Sequence, residues 1–173
     1  TDNLIDLVGS CAINLILGVG MTFVIIGAGI DLSVGRLIAL THVMLVVVAN
    51  ATGSFTVGLA ACLGCGLAAG VANGAISVRW RIPSFIVTLG MMMVARGLAM
   101  VAAGGHSIGS DVSPPLWVQR FLPILVSLVV VAVGHVVLVR TVFGRHVFAV
   151  GGSPEAARLC GIRVGLVRIV TFA

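Results

Sequence analysis

The chain has 173 residues, of which 60% are hydrophobic and only 9% are charged. A soluble domain cannot bury so much apolar surface, so this composition excludes one and indicates an integral membrane protein. The net charge of +5 comes from ten arginines against five acids. A basic balance can indicate nucleic-acid binding, but most of these arginines crowd two loops, as in the cytoplasmic loops of membrane proteins, so we predict a lipid bilayer and no nucleic acid as the partner.

The predicted elements are membrane spans, because each long gap between charged residues holds the roughly 20 apolar residues that cross a bilayer. One span precedes Asp31, and the gap between Arg36 and Arg79 holds two spans with a turn at 50–54. Further apolar runs cover 83–101 and 122–139, and another begins at 164. We predict an all-α, polytopic transmembrane helical bundle of about five spans plus the start of a sixth, and expect the chain to be a fragment of a longer protein.

Two arginine-rich segments determine the predicted topology. Arg79 and Arg81 flank one short loop, and four more arginines lie between 140 and 163. Cytoplasmic loops carry such an excess, so both segments are placed inside the cell and the connection 104–121 outside. We therefore predict a single, partial transmembrane domain over 1–173 with a cytoplasmic loop at 141–163.

The third span carries small residues at every fourth position. They are Gly58, Cys62, Gly66, Gly70 and Gly74. Such a ridge allows a neighbouring helix backbone to approach closely, so we predict a role in helix packing. The motif "CLGC" at 62–65 has metal or redox spacing, but it lies in the middle of a span and is predicted to pack as a small hydrophobic segment.

No catalytic centre is predicted. The chain contains no lysine, which excludes a lysine-containing phosphate-binding loop, and its four histidines lie far apart without metal-ligand spacing. We predict no catalytic residue, no metal site and no cofactor in this chain. If it moves a solute, the energy comes from a gradient or from another subunit.

The stretch "GAGIDLSVG" at 27–35 places Asp31 and Ser33 between glycines at the junction of two spans. One interpretation is an interfacial turn in which Asp31 caps the next helix. The other is a break in a helix whose free backbone and carboxylate shape a solute path.

Three further polar residues within the apolar runs are candidates for the same path. Arg96 lies 13 residues after Pro83, too deep to anchor at the inner surface. It can reach outward, pair with an acid such as Asp31, or line a polar cavity. Asn73 and Thr88 are uncharged hydrogen-bonding groups suited to a neutral polyol, although each can equally bond a neighbouring helix.

The stretch "GGSPEAARLCGIRV" at 151–164 predicts a helix of about two turns over 153–161. Ser153 is a favourable N-cap, Pro154 suits the first helical position, and Gly161 can end the helix in a left-handed conformation. So short a helix is stable only when docked. It either lies on the lipid headgroups or fits a groove on a cytoplasmic partner.

Three blocks together resemble the permease subunit of bacterial ABC sugar importers, in the ribose/galactose-type branch. They are "GMTFVIIGAGIDLSVG" at 20–35, "VANGAISVRWRIPSFIVTLGMMMVARGLA" at 71–99 and "FGRHVFAVGGSPEAARLCGIRV" at 143–164. The resemblance implies a permease of the bacterial inner membrane that pairs with a second copy. It also implies a periplasmic sugar-binding protein and a cytoplasmic ABC ATPase subunit that binds ATP and Mg²⁺.

The resemblance also implies roles for particular residues. The segment 151–162 corresponds to the family's coupling segment, which seats in the ATPase. The implied coupling residues are Gly152, Ser153, Pro154, Glu155, Ala156, Ala157, Arg158 and Gly161. The sequence departs from the family pattern at Ala28, where glycine is frequent, and at Arg36, where a small residue is expected. The family's first helix and its last third to half are expected to lie outside this chain.

Three alternatives remain at this point. The nearest is a branched-chain amino acid permease of the same transport class, and the "DLSVG" stretch favours a sugar. A gradient-driven carrier or channel that works alone needs an acid within a span, for which Asp31 is the candidate. The last is a membrane fragment that transports nothing.

Overall fold

A computed structural model describes residues 2–112 and 114–173, with the side chains of residues 2–6 and 116 left aside. Eight helices make up this part of the chain, which contains no strand. They are α1 (Asp2–Ile26), α2 (Val34–Thr52), α3 (Phe55–Trp80), α4 (Ser84–Ala102), α5 (Leu116–Arg140), α6 (Val142–Gly152), α7 (Pro154–Leu159) and α8 (Val164–Phe172).

Five of the described helices, α1 to α5, are long and apolar enough to cross a bilayer. The turn between α2 and α3 falls within the predicted segment 50–54, and Gly53 there has a φ of 67°. α5 begins at Leu116, six residues before the predicted start of its apolar run. The all-α polytopic bundle is confirmed, and the chain is a multi-pass membrane protein.

The helices form two compact units. The first contains α1 with its C-terminal turn to Gly29, and the chain from Pro114 to Thr171, which comprises α5 to α7 and nearly all of α8. The second contains the chain from Ile30 through α2, α3 and α4 to the loop that follows α4, together with the last two residues.

In the first unit, α5 packs against α1, and a small apolar core joins the three short helices. The core consists of Val147 and Val150 of α6, Ala157 of α7, and Val164 and Val167 of α8. Each of these side chains is at most 4% exposed. Burial of their apolar surface therefore fixes the short helices to one another.

In the second unit, α2 packs against both α3 and α4. Gly58 of α3 lies directly against α2, and a Cβ added there would come 2.9 Å from the Cβ of Ala49. A Cβ at Gly66 would meet Thr41 of α2 at 3.6 Å. Gly70 and Gly74 are buried, and Cys62 is half-buried. Close approach of α2 at Gly58 therefore depends on the absence of a side chain.

The C-terminal end of α1 explains why position 28, which is Ala28 in this chain, favours glycine. The amide of Gly29 donates to the carbonyl of Val24, and the amide of Ala28 donates to that of Ile25. This pair of bonds forms a Schellman motif, in which the residue at position 28 adopts a left-handed conformation. Ala28 has a φ of 57°, so an L-amino acid with a Cβ occupies a position that favours glycine.

Replacing Ala28 by glycine is expected to stabilise the full-length protein by about 0.5–1 kcal/mol, because glycine removes the steric cost of the positive φ. The measurement is equilibrium unfolding in denaturant of protein held in detergent micelles. Ala132→Gly is the matched control, because Ala132 lies within α5 of the same unit. The control should lower the stability by a similar amount. A stability decrease in Ala28→Gly would contradict the left-handed conformation of residue 28.

Candidate functional site

The segment between α1 and α2 is not helical from residue 30 to residue 33, and it lies alongside the start of α4. The amide of Ile30 donates to Ser84 Oγ at 3.0 Å, and the amide of Leu32 donates to Thr88 Oγ1 at 3.1 Å. Thr88 is four residues, or roughly 6 Å, into the helix. Since α4 has the length and composition of a span, irregular backbone runs beside a span, where its amides need protein partners.

A second set of bonds ties the same segment to α3. Asp31 Oδ1 accepts from the amide of Ser33 at 2.7 Å and from Ser33 Oγ at 2.6 Å. Asn73 Nδ2 of α3 donates to Ser33 Oγ at 3.0 Å. Ser33, Asn73 and Thr88 are at most 1% exposed and Asp31 is 9% exposed. We call Asp31, Ser33, Asn73 and Thr88 the buried polar network.

The network brings together four of the five residues predicted for a solute path. Ser33 is the N-cap residue of α2, and no side-chain bond caps the helix there. The Asp31 carboxylate accepts from the amide and hydroxyl of Ser33, directly before α2, and so stabilises the bend that leads into this helix. The two interpretations of the stretch, a capped turn and a break in a helix, both remain predictions. Whether a solute passes these residues remains a prediction.

One acceptor of the network has no donor in the part of the chain that the structure describes. Asn73 Oδ1 is buried, while the amide nitrogen of the same side chain is engaged by Ser33. A buried acceptor without a partner costs free energy and can take a hydroxyl or water donor. Asn73 is therefore the member of the network with an unused acceptor among the described residues.

Replacing Thr88 by valine is expected to destabilise the full-length protein by about 1–3 kcal/mol, because the change keeps the side-chain shape and leaves the Leu32 amide without an acceptor. Equilibrium unfolding in micelles measures the change. Thr41→Val is the matched control, since among the described residues the Thr41 hydroxyl bonds only the Ile38 carbonyl of its own helix. Equal effects of the two variants would show that Thr88 does not hold the segment.

Arg96 is the predicted path residue that the network does not include. No ion pair joins it to Asp31 among the described residues, and its side chain is exposed. It lines a groove between α2 and α4 with Arg36 and His106. The described residues therefore give Arg96 no pairing with Asp31, and its other two placements, reaching outward or lining a polar cavity, remain predictions.

The predicted loop 141–163 contains a helix that we did not predict, the 11-residue α6. Thr141 is its N-cap, and Thr141 Oγ1 accepts from the amide of Gly144 at 3.2 Å. Phe143, Val147 and Val150 fall at i, i+4 and i+7, on the face that meets the small core. This spacing and the N-cap threonine are the sequence features that indicate α6. The arginines around the segment favour a cytoplasmic loop instead.

The short helix α7 ends as predicted at both termini. Ser153 Oγ accepts from the amide of Ala156 at 3.2 Å, and Pro154 is the first helical residue. Gly161 has a φ of 80°, its amide donates to Arg158, and the next amide donates to Ala157. These bonds form a second Schellman motif, so the backbone groups at both ends of α7 have partners.

Only one side of α7 is covered. Ala157 is 3% exposed within the small core, whereas Leu159 is 90% exposed. Among the predicted coupling residues of the helix, Pro154 is half-buried and three others are exposed: Glu155, Ala156 and Arg158. Gly152, the last residue of α6, is exposed beside them. Both predicted placements of the uncovered side of α7, on the lipid headgroups or in a groove of a cytoplasmic partner, therefore remain predictions.

Nearly the whole chain matches one family of transport proteins. A family model described as the permease component of the branched-chain amino acid transport system matches residues 3–173. The chain belongs to this family. No solved structure matches the chain.

Curated relatives of the chain include several import permeases. The ribose import permease protein RbsC of Escherichia coli K12 is 33% identical over 184 residues, which cover 99% of this chain and 57% of the relative. The L-arabinose ABC transporter permease protein AraH of Azospirillum brasilense is 36% identical over 97% of this chain and 50% of its own length. The autoinducer 2 import system permease protein LsrC of Shigella flexneri is 33% identical over 95% of this chain and 50% of its own length.

These relatives confirm the predicted resemblance to sugar-importer permeases. Their names describe transport components and refer to ribose, arabinose and autoinducer 2. The chain spans about half the length of the curated relatives that it matches.

Proposed function

We propose that the chain is part of the permease subunit of an ATP-binding-cassette importer that carries a neutral monosaccharide into the cytoplasm. The observation that carries the proposal is α7, a capped two-turn helix that is anchored by Ala157 and presents Leu159 outward. A carrier that works alone has no need of such a helix. The names of the three relatives support the class of transporter and favour a sugar over a branched-chain amino acid.

α7 is the proposed contact with the ATPase. Its six residues are too few to form a stable isolated helix, so its rigidity comes from the two caps and the small core. The exposed Leu159 supplies an apolar anchor, and Glu155 and Arg158 supply charges around it. Movement of the ATPase surface is then transmitted through Ala157 to α6 and α8.

The proposed mechanism is alternating access. The ATPase subunits bind ATP with Mg²⁺, and their closure favours one of two states of the permease bundle. Hydrolysis takes place in that partner, so this chain contributes no catalytic residue. The remaining proposed partners are a periplasmic sugar-binding protein and a second permease copy, with the complex in the bacterial inner membrane.

We place the solute path beside the buried polar network. Hydroxyl, amide and carboxylate groups match the hydrogen-bonding groups of a neutral sugar. The irregular backbone at 30–33 is held to α3 by Asn73 and to α4 by Thr88. A shift of these helices would release backbone and side-chain donors towards a sugar, which is the property expected of a gate.

The proposal is tested by reconstituting the full-length permease with its ATPase and binding protein in proteoliposomes. We expect uptake of ribose or arabinose that requires ATP, and no uptake of leucine. The control is the same complex with an ATPase in which the phosphate-binding lysine is replaced. Uptake that persists with the disabled ATPase would assign a gradient-driven carrier, and uptake of leucine instead of sugar would assign a branched-chain amino acid permease.

A further inference from the structure

Two arginines of the second unit lie outside the buried polar network and line one groove. Arg36 is the third residue of α2, and Arg96 lies six residues before the end of α4. Leu40, one turn after Arg36, packs against Ala95, the neighbour of Arg96. The two arginines therefore flank the same crossing of α2 and α4. Both line one groove of about 280 Å³ together with His106 of the loop that follows α4.

The positive charge of this groove is not balanced by the described part of the second unit. Neither guanidinium has a hydrogen-bond or ion-pair partner there. The acids of this unit are Asp31 and Asp111, and neither lines the groove. Like charges repel each other, and an unpaired charge beside an apolar span is costly. An anion from outside this part of the chain would balance the charge of the groove.

We propose that this groove binds the phosphate group of an anionic phospholipid. The guanidinium fork matches the oxygens of a phosphate, and two forks in one groove can share one phosphate. Arg36, Arg96 and His106 are all exposed at the surface of the unit. Arg96 lies roughly 9 Å from the end of α4, within reach of the headgroup level for a long side chain.

The walls of the groove favour a lipid over a free ion. Ala39, Ala99 and Met100 line it between the charged groups, so apolar surface lies beside the two cations. A phospholipid places its phosphate next to glycerol and acyl carbons, which match this combination. Basic pockets between membrane helices bind anionic headgroups by the same principle. The inference does not depend on which solute the permease carries.

In the experiment that tests this proposal, the full-length permease is purified in a nonionic detergent and titrated with phosphatidylglycerol. Bound lipid is counted by native mass spectrometry. Arg36→Gln and Arg96→Gln are each expected to weaken binding about tenfold, since each removes a charge-assisted bond. The double variant should bind phosphatidylglycerol no better than phosphatidylcholine of the same chain length. Arg36→Lys and Arg96→Lys keep the charge without the fork, so they should retain the preference at lower affinity.

Arg79→Gln is the matched control, because it removes the same charge from the last turn of α3, away from the groove. It should bind phosphatidylglycerol like the unchanged protein. If a glutamine variant does not fold, the two lysine variants are compared with the unchanged protein. Unreduced affinity for phosphatidylglycerol in both lysine variants would overturn the proposal. Equal binding of the two lipids by the unchanged protein would also overturn it. If inorganic phosphate binds as tightly as phosphatidylglycerol, the groove is a site for a soluble anion, and the proposal that it binds a phospholipid is overturned.

Discussion

Replacing Gly151 by alanine is expected to destabilise the full-length permease by about 3 kcal/mol, at the upper end of what overpacking costs. Gly151 lies near the end of α6, and a Cβ there would overlap the backbone carbonyl oxygen of Ile26 at the end of α1. A backbone group cannot rotate away as the tip of a side chain can, so α6 has to shift. Because Val147 and Val150 of α6 hold Ala157 in the small core, the shift also loosens α7.

Gly152→Ala provides the control for this variant. Nothing lies within 4 Å of a Cβ placed on Gly152, although it is the next residue of the same helix. It should therefore unfold within about 0.5 kcal/mol of the unchanged protein, as surface substitutions usually do. The measurement is equilibrium unfolding in detergent micelles. Similar stabilities of the two variants would contradict the close packing of α6 on α1.

Replacing Leu159 by glutamate is expected to weaken the binding of the proposed ATPase subunit on the order of 30-fold, because the loss of a hot-spot contact at the centre of an interface costs about 2 kcal/mol or more. The fold should be unaffected, since Leu159 is 90% exposed and glutamate is a good helix former. Affinity is measured by titrating the labelled permease in nanodiscs with purified ATPase. ATP-driven uptake should fall with the affinity.

Val142→Glu is the matched control for this change. It adds the same charge to an exposed apolar residue of the same predicted loop, at the start of α6 and outside α7. It should leave the affinity for the ATPase unchanged. Equal losses in the two variants would indicate a general effect of negative charge, and unchanged binding by Leu159→Glu would remove Leu159 from the interface.

The spans and the short helix were predictable from sequence for different reasons. A bilayer requires about 20 apolar residues for each crossing, so the gaps between charges were enough to predict α1 to α5. The ends of α7 depend on local signals, namely the N-cap Ser153, Pro154 and Gly161, and each occupies the predicted position. Each of these signals is local, because every apolar run and every helix end is defined by residues that are neighbours in the sequence.

The contacts of the candidate sites could not be predicted in the same way. Asn73 and Ser33 are 40 residues apart, and their hydrogen bond depends on how α3 packs beside the segment 30–33. Arg36 and Arg96 are 60 residues apart, and their shared groove depends on the crossing of α2 and α4. Hydrophobic periodicity places a residue on one helix face but does not identify the helix that faces it. Tertiary packing therefore decided which predicted polar residues meet.

The side of α7 that packs against the rest of the protein could not be predicted from the sequence either. The sequence places Ala156, Leu159 and Cys160 on one side by their spacing, yet Ala157 is the residue buried in the small core. A six-residue helix has several small apolar positions, and the orientation follows from α6 and α8 on either side. This outcome leaves the side with Leu159 and Cys160 uncovered.

The central claim is that α7 docks on the ATPase, and Cys160 allows the most direct test because it is an exposed, free cysteine at the end of that helix. In full-length permease whose other cysteines are replaced by serine or alanine, the rate of maleimide labelling of Cys160 is measured with and without bound ATPase. Docking through α7 predicts that the assembled complex protects Cys160 from labelling. An equal labelling rate in the free permease and in the assembled complex would contradict the claim.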